Sequence, residues 1–219
     1  MVDVILVLGA TGIVGRQLHD QLLKNSKPII AVSAAELARL DSCDFDSRVS
    51  DIISEINTIA ANPAKIGIVL AHRIRNLDSK NAVVCELKIS KDFIWKLSGK
   101  FKFINVVVLG SVAGKLVDMK TPDAYHLSKD VQKTCARLSL KLTNVAMNVL
   151  ELGWFEKYPE DCWSAEYRKN MLSIKQHIGP YGLPSLVDLA KFVLLLLDLD
   201  IPPRGQTITY DGGYSLLQH

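Results

Sequence analysis

Val4-Ile5-Leu6-Val7-Leu8-Gly9-Ala10-Thr11-Gly12-Ile13-Val14-Gly15 is the stretch whose reading decides the fold. It begins as an apolar, β-branched run and breaks into three glycines. The following RQLHDQLLKN has the look of a helix. Strand, glycine turn and helix together present free backbone N–H groups at a helix N-terminus, where a phosphate is favoured. Gly9 allows a sharp turn, Gly12 lets a pyrophosphate approach the backbone, and Gly15 lets the helix pack closely. The pattern points to a dinucleotide site. A tight strand-to-helix turn that holds no ligand would look the same, so the rest of the chain has to decide.

Outward from this turn, apolar runs alternate with helical patterns. Strands are expected at Val4–Leu8, Pro28–Val32, Lys65–Leu70, Phe103–Leu109, Val145–Leu150 and Gln206–Tyr210, with a possible short one at Ala38–Leu40. Helices are expected at Val14–Asn25, Ser47–Ala60, Asn81–Ser98, Ala124–Leu142, Ala165–His177 and Leu186–Leu197. Alternation of this kind implies right-handed βαβ crossovers and a parallel sheet covered on both faces, a Rossmann-type doubly wound α/β fold. After Val32 only SAAELARLDSCD precedes the next helical segment, so the second crossover helix is either missing or shortened. With no internal repeat and no low-complexity linker, one domain over 1–219 is the expectation.

Composition excludes several classes. The chain has 219 residues, 48% hydrophobic and 22% charged, with a net charge of +3. These are ordinary values for a globular domain. The basic residues are scattered, with no Lys/Arg tract or basic–aromatic stripe, so no nucleic-acid partner is expected. Cys43, Cys85, Cys135 and Cys162 form no CxxC pair, and the five histidines show no ligand spacing. Neither a disulfide frame nor a metal site is expected. The chain opens directly on a strand, and its most apolar helix, from Leu186, is too short to span a bilayer. A cytoplasmic location without membrane attachment is therefore expected.

A second constellation lies in the C-terminal half. VVVLGSVAG ends a strand at Ser111, and fourteen residues on stands Tyr125-His126-Leu127-Ser128-Lys129. Tyr125 and Lys129, at i and i+4, share one helix face. A phenol, with a pKa of about 10, is a poor acid/base catalyst at neutral pH, and a nearby ammonium favours its anion. A strand-end serine can hold a carbonyl oxygen while the tyrosine moves the proton. An ordinary amphipathic helix would also place a tyrosine and a lysine this way.

Taken together, the motifs make the chain resemble a short-chain dehydrogenase/reductase over nearly its full length. In order they are GATGIVG from Gly9, CDFD from Cys43, LGSVAG with Ser111, YHLSK from Tyr125, NVLELGWF from Asn148 and ITYDGGYS near the C-terminus. The resemblance implies an NAD(P)-dependent oxidoreductase acting on a carbonyl or alcohol. It makes Tyr125 the general acid/base and gives Lys129 two tasks, favouring the phenolate and binding the nicotinamide ribose. Ser111 would orient the substrate carbonyl. The cofactor would meet Gly9, Thr11, Gly12, Ile13 and Gly15 at the first turn and Ser33 after the second strand. Asp44 and Phe45 would lie at the adenine, Ala71 after the next strand, and Gly153 and Trp154 beside the nicotinamide. Relatives also suggest a homodimer or homotetramer.

Three departures from that family stand out. The glycines run 9, 12, 15, as in extended and atypical members, many of which act on nucleotide sugars, yet the chain is too short for an extended member's added substrate region. The usual relay asparagine is replaced by Glu86, which either carries protons or merely pairs with a lysine; Asn81 lies about 140° around the helix from it. The usual Asn-Ala-Gly is replaced by Ala71-His72-Arg73, which is either a functional basic pair or a solvated loop.

No acid ends the second strand, which tolerates a 2′-phosphate and favours NADP over NAD. Glu36 remains within reach of a ribose, and Arg39 of a phosphate. A lid over 154–182 carries Trp154, Phe155, Tyr158, Trp163, Tyr167 and Tyr181 among Lys157, Arg168, Lys169 and Lys175. Rings and cations suit a sugar or an anionic carbonyl compound, although lid aromatics also pack on the domain below. Two other readings stay open: a sugar-nucleotide epimerase or dehydratase with tightly bound NAD, and a nucleotide-binding scaffold that has lost catalysis.

Overall fold

The computed structural model describes residues 1–24, 27–72, 77–111, 124–153 and 184–211, with Ile13 described in its backbone only. Six strands form one parallel sheet: β1 (Val4–Leu8), β2 (Ile29–Val32), β3 (Lys65–Leu70), β4 (Phe103–Ser111), β5 (Val145–Leu152) and β6 (Thr207–Tyr210). Their order is β2-β1-β3-β4-β5-β6. The chain steps from β1 to one side and then crosses to the other for β3. This places the topological switch point between the C-terminal ends of β1 and β3, where doubly wound sheets open a crevice.

Both faces of the sheet are covered, which is why the strands are apolar without interruption. One core contains Val4, Leu6, Leu8, Ile68, Val106 and Met147 under α3 (Ser42–Ala60) and the helical segments that follow β3. The other contains Ile5, Val7, Val107 and Leu150 under α1 (Ile13–Leu23) and α7 (Leu186–Asp198). Alternate residues of a strand therefore feed alternate cores. Each fully buried Leu or Ile contributes about 1.5–3 kcal/mol.

Helix starts are set by short polar caps. Ser33 accepts from the Glu36 N–H at the start of α2 (Ala34–Arg39), Asp41 from Asp44 at α3, Asp78 from Asn81 at α4 (Ser79–Leu87), and Ser185 from Asp188 at α7. Each satisfies an orphan donor of the first turn. Between β2 and β3 the chain runs through α2, six residues long, and then α3. The crossover helix is thus shortened rather than lost.

Several boundaries differ from the sequence reading. The possible strand at Ala38–Leu40 falls mainly in α2, because Ser33 caps a run of strong helix formers whose Leu37 is buried in the core. α3 begins at Ser42 rather than Ser47, since Asp41 caps it. The helix expected at Asn81–Ser98 is α4, a π-helical segment Lys88–Phe93 and α5 (Ile94–Ser98). α6 (Ala124–Leu138) ends in a 3₁₀ turn. The helix at Ala165–His177 and the lid lie outside the described residues. Among those described, no helix is long and apolar enough to cross a membrane.

Candidate active site

Three strand ends converge at the glycine turn. The Gly9 N–H donates to Val32 O at 3.1 Å, and the Ala71 N–H donates to Leu8 O at 2.9 Å. Gly9 adopts φ +90°, and a Cβ there would lie 2.8 Å from the backbone of His72. At Gly15 a Cβ would lie 2.1 Å from Gly9 O. Both positions thus require glycine, one for conformation and clearance, the other for clearance alone. Gly12 is the N-cap of α1, and no side chain caps that helix. Its first-turn N–H groups suit the oxygens of a phosphate, so the turn fits a dinucleotide's pyrophosphate. Thr11 is exposed beside it. The Ile13 side chain lies outside the described residues.

Ser33 follows β2 and is engaged as a helix cap. Glu36 pairs with Arg48 at 3.0 Å. One expected adenine contact needs correction. CDFD forms the first turn of α3. The Phe45 side chain is 3% exposed and packs in the core, with the Lys88 ammonium 5.3 Å from its ring centre, so it cannot face an adenine. Asp44 is exposed, its N–H held by Asp41.

The second cluster assembles around α6. Ser111 is the last residue of β4, opposite Leu152 of β5. Lys129 is buried, and its Nζ donates to Leu109 O at 3.0 Å, which anchors α6 to the end of the strand that carries Ser111. The same Nζ lies 5.6 Å from the centre of the Tyr125 ring. Gly153, just beyond β5, abuts Asp211, on which a Cβ would impinge at 2.4 Å. Trp154 and Arg73 lie outside the described residues.

Glu86 is 1% exposed and sits inside a polar knot. His72 Nε2 meets its two oxygens at 2.9 and 3.1 Å. The Ser90 hydroxyl and the Gln132 amide both donate to Oε1, the latter at 3.1 Å. Burial pushes the Glu86 carboxyl up. His72, Lys129 and Ser90 together outweigh that and hold it below the ordinary glutamate range. The hydrogen-bond partners of Glu86 are thus His72, Ser90 and Gln132, and neither of the two sequence readings, proton relay or pairing with a lysine, is decided by them. That histidine is 6% exposed, so the solvated-loop reading fails at this residue, and its Nδ1 has no hydrogen-bond partner among the described residues. Asn81 is engaged at the Asp78 cap and does not replace the missing asparagine.

Ser90 and Gln132 were not foreseen in sequence, although each has a spacing signal. Ser90 follows Glu86 by four residues, and Gln132 follows Lys129 by three. Lys133 approaches buried Glu151 at 2.7 Å, a further pair on the same face of α6. Cys135 is fully buried, and burial, reinforced by Glu86, pushes its thiol up to about 12, which makes it a packing residue rather than a nucleophile.

No family model matches the chain, and no curated protein sequence matches it. Solved structures do. A small-chain dehydrogenase in complex with NADPH aligns with a TM-score of 0.68 at 14% identity, over 97% of this chain and 98% of the other. 4-Hydroxyisoleucine dehydrogenase complexed with NADH aligns at 0.66 and 17% identity, over 98% and 99%. A short chain dehydrogenase from Leptospira borgpetersenii serovar Hardjo-bovis (strain JB197) with bound NAD+ aligns at 0.63 and 16% identity, over 97% and 92%. The chain therefore has the fold of the short-chain dehydrogenases from end to end.

Proposed function

We propose that the protein is an NAD(P)-dependent oxidoreductase of the short-chain dehydrogenase type. The observation that supports this reading is the hydrogen bond from Lys129 to Leu109 O, with the Lys129 ammonium 5.6 Å from the centre of the Tyr125 ring. The glycine turn at the switch point supports a dinucleotide, and the solved structures of the same fold hold NADPH, NADH and NAD+.

A bound nicotinamide supplies or accepts the hydride. The chain's own residues manage the oxygen and its proton. Ser111 holds the carbonyl oxygen, and the Tyr125 hydroxyl gives it a proton in reduction or removes one in oxidation. Lys129 binds the ribose and keeps an ammonium beside Tyr125. Gly153 and Trp154 would border the nicotinamide, while Ala71 lies beside the glycine turn.

NADP is the favoured cofactor. No acid stands at the end of β2, and Glu36 is paired with Arg48 at 3.0 Å. The substrate is a carbonyl or alcohol, with sugars and their derivatives the first to screen on account of the residues of the 154–182 lid. The reading is of one domain that assembles as a homodimer or homotetramer.

The deciding experiment is a parallel titration with NADPH and NADH, followed by energy transfer from tryptophan to reduced nicotinamide. Tighter NADPH binding, followed by dinucleotide-dependent turnover on a carbonyl panel, is the expected result. Binding of neither by folded protein carrying no endogenous cofactor would end the proposal.

A further inference from the structure

The buried groups His72, Glu86, Gln132 and Lys129 are joined end to end by hydrogen bonds. Gln132 stands between the carboxylate and the ammonium: its amide nitrogen donates to Glu86 Oε1 at 3.1 Å, and its Oε1 accepts from Lys129 Nζ at 3.1 Å. The amide's orientation is fixed by its neighbours. Turned over, it would aim N–H groups at an ammonium and an oxygen at a carboxylate. All four side chains are at most 8% exposed. In so dry a setting, opposite charges one amide apart attract strongly.

We propose that Gln132 is a positioning residue that keeps the Lys129 ammonium off the Glu86 carboxylate, so that it stays on Leu109 O and beside Tyr125. The proposal rests on the oxidoreductase reading, because it takes Lys129 as the residue that serves Tyr125 and the cofactor. Glu86 carries a charge that His72 and Ser90 help to hold, and the amide satisfies both ions without letting them close. With an apolar side chain at 132, Lys129 swings to Glu86 and leaves the end of β4. The thiols of Cys85 and Cys135 also lie close enough to feel the Glu86 charge. Of the lysines on the same helical segment, Lys88 is bound to Leu40 O and Lys91 pairs with Asp92. Lys129 is thus the buried cation that lies one amide from Glu86.

The test compares Gln132→Met, which is close in volume and forms neither hydrogen bond, with Glu86→Gln/Gln132→Met, which also removes the attracting charge. Crystal structures of both without cofactor give the position of Lys129. Titration with NADPH and turnover on the best carbonyl substrate give the consequence. In Gln132→Met, Lys129 Nζ is expected in direct contact with Glu86, with turnover down about tenfold or more, the scale of a displaced charge. In the double variant Lys129 is expected back on Leu109 O, with most of the affinity and turnover restored. A merely structural glutamine would not be rescued by removing a second charge. Lys129 remaining on Leu109 O in Gln132→Met, or a loss that Glu86→Gln fails to reverse, overturns the spacer role. Should Gln132→Met not fold, Gln132→Asn withdraws the amide by one methylene and is read in the same way. The crystallographic arm stands even if wild-type protein binds no dinucleotide, a result that would defeat the oxidoreductase reading instead.

Discussion

Lys129 Nζ donates to the main-chain oxygen of Leu109, two residues before Ser111, across a sequence separation of 20 residues. That bond ties the helix bearing Tyr125 to the strand bearing Ser111. Tyr125→Phe is therefore expected to lower turnover by roughly 10² to 10⁴, the usual contribution of a general acid/base, with dinucleotide affinity little changed. Lys129→Ala should damage both quantities. Steady-state kinetics beside a binding titration separate the two, and a fully active Tyr125→Phe would sink the mechanism.

At the glycine turn, Gly15→Ala places a methyl group where Gly9 O already stands, 2.1 Å away. Either α1 or the turn must move. The variant should lose about 2–4 kcal/mol in urea unfolding, as overpacked sites do, and should bind dinucleotide poorly even where it is folded. Wild-type affinity in Gly15→Ala would show that the close approach of helix and turn does not shape the site.

Phe45 and Asp44 offer a contrast between core and surface. Phe45→Ala should cost about 3–5 kcal/mol of stability, since it empties a buried aromatic site, yet leave the dinucleotide affinity of the folded fraction intact. Asp44→Ala, at an exposed position of a helix's first turn, should stay within about 1 kcal/mol of wild type. A selective loss of affinity in Phe45→Ala would restore its cofactor role.

Glu86 predicts how stability responds to acid. Its carboxyl lies below the ordinary range in the folded protein, because His72, Lys129 and Ser90 together outweigh burial. The native state thus binds this proton less readily than the unfolded chain. The resulting stability is fully present above the unfolded value and is lost as pH falls through the folded one. Unfolding midpoints should decline below about pH 5, and Glu86→Gln, weaker by about 3–5 kcal/mol at neutral pH, should close its gap with wild type over the same interval. A gap of constant size from pH 7 to pH 3 would mean that Glu86 is not the group responsible.

Much of the fold was legible in the sequence because buried parallel strands announce themselves. β1 and β3 match their expected limits, each being an apolar run ended by a turn or a polar residue. The short helix α2 was harder. Ala38-Arg39-Leu40 alternates like a strand, and only the cap at Ser33 and the burial of Leu37 show that the chain coils there. CDFD lies in the first turn of a helix that Asp41 caps, which turns Phe45 into the core and leaves Asp44 exposed.

At the site, periodicity alone put Tyr125 and Lys129 on one helical face, and the glycine spacing alone marked a tight turn after the first strand. Both are local properties, set by backbone geometry within a few residues. Tertiary structure decided that Phe45 belongs to the core and that Glu86 pairs with His72, 14 residues away. It also decided that Gln132, 46 residues from Glu86, bridges that carboxylate to Lys129. Contacts of that kind depend on which helices the sheet brings together, and no pattern along one element contains them. The sequence by itself determined the layers and the turn; packing decided which buried polar groups meet, because a charge taken out of water must be met by whatever partner the fold sets beside it.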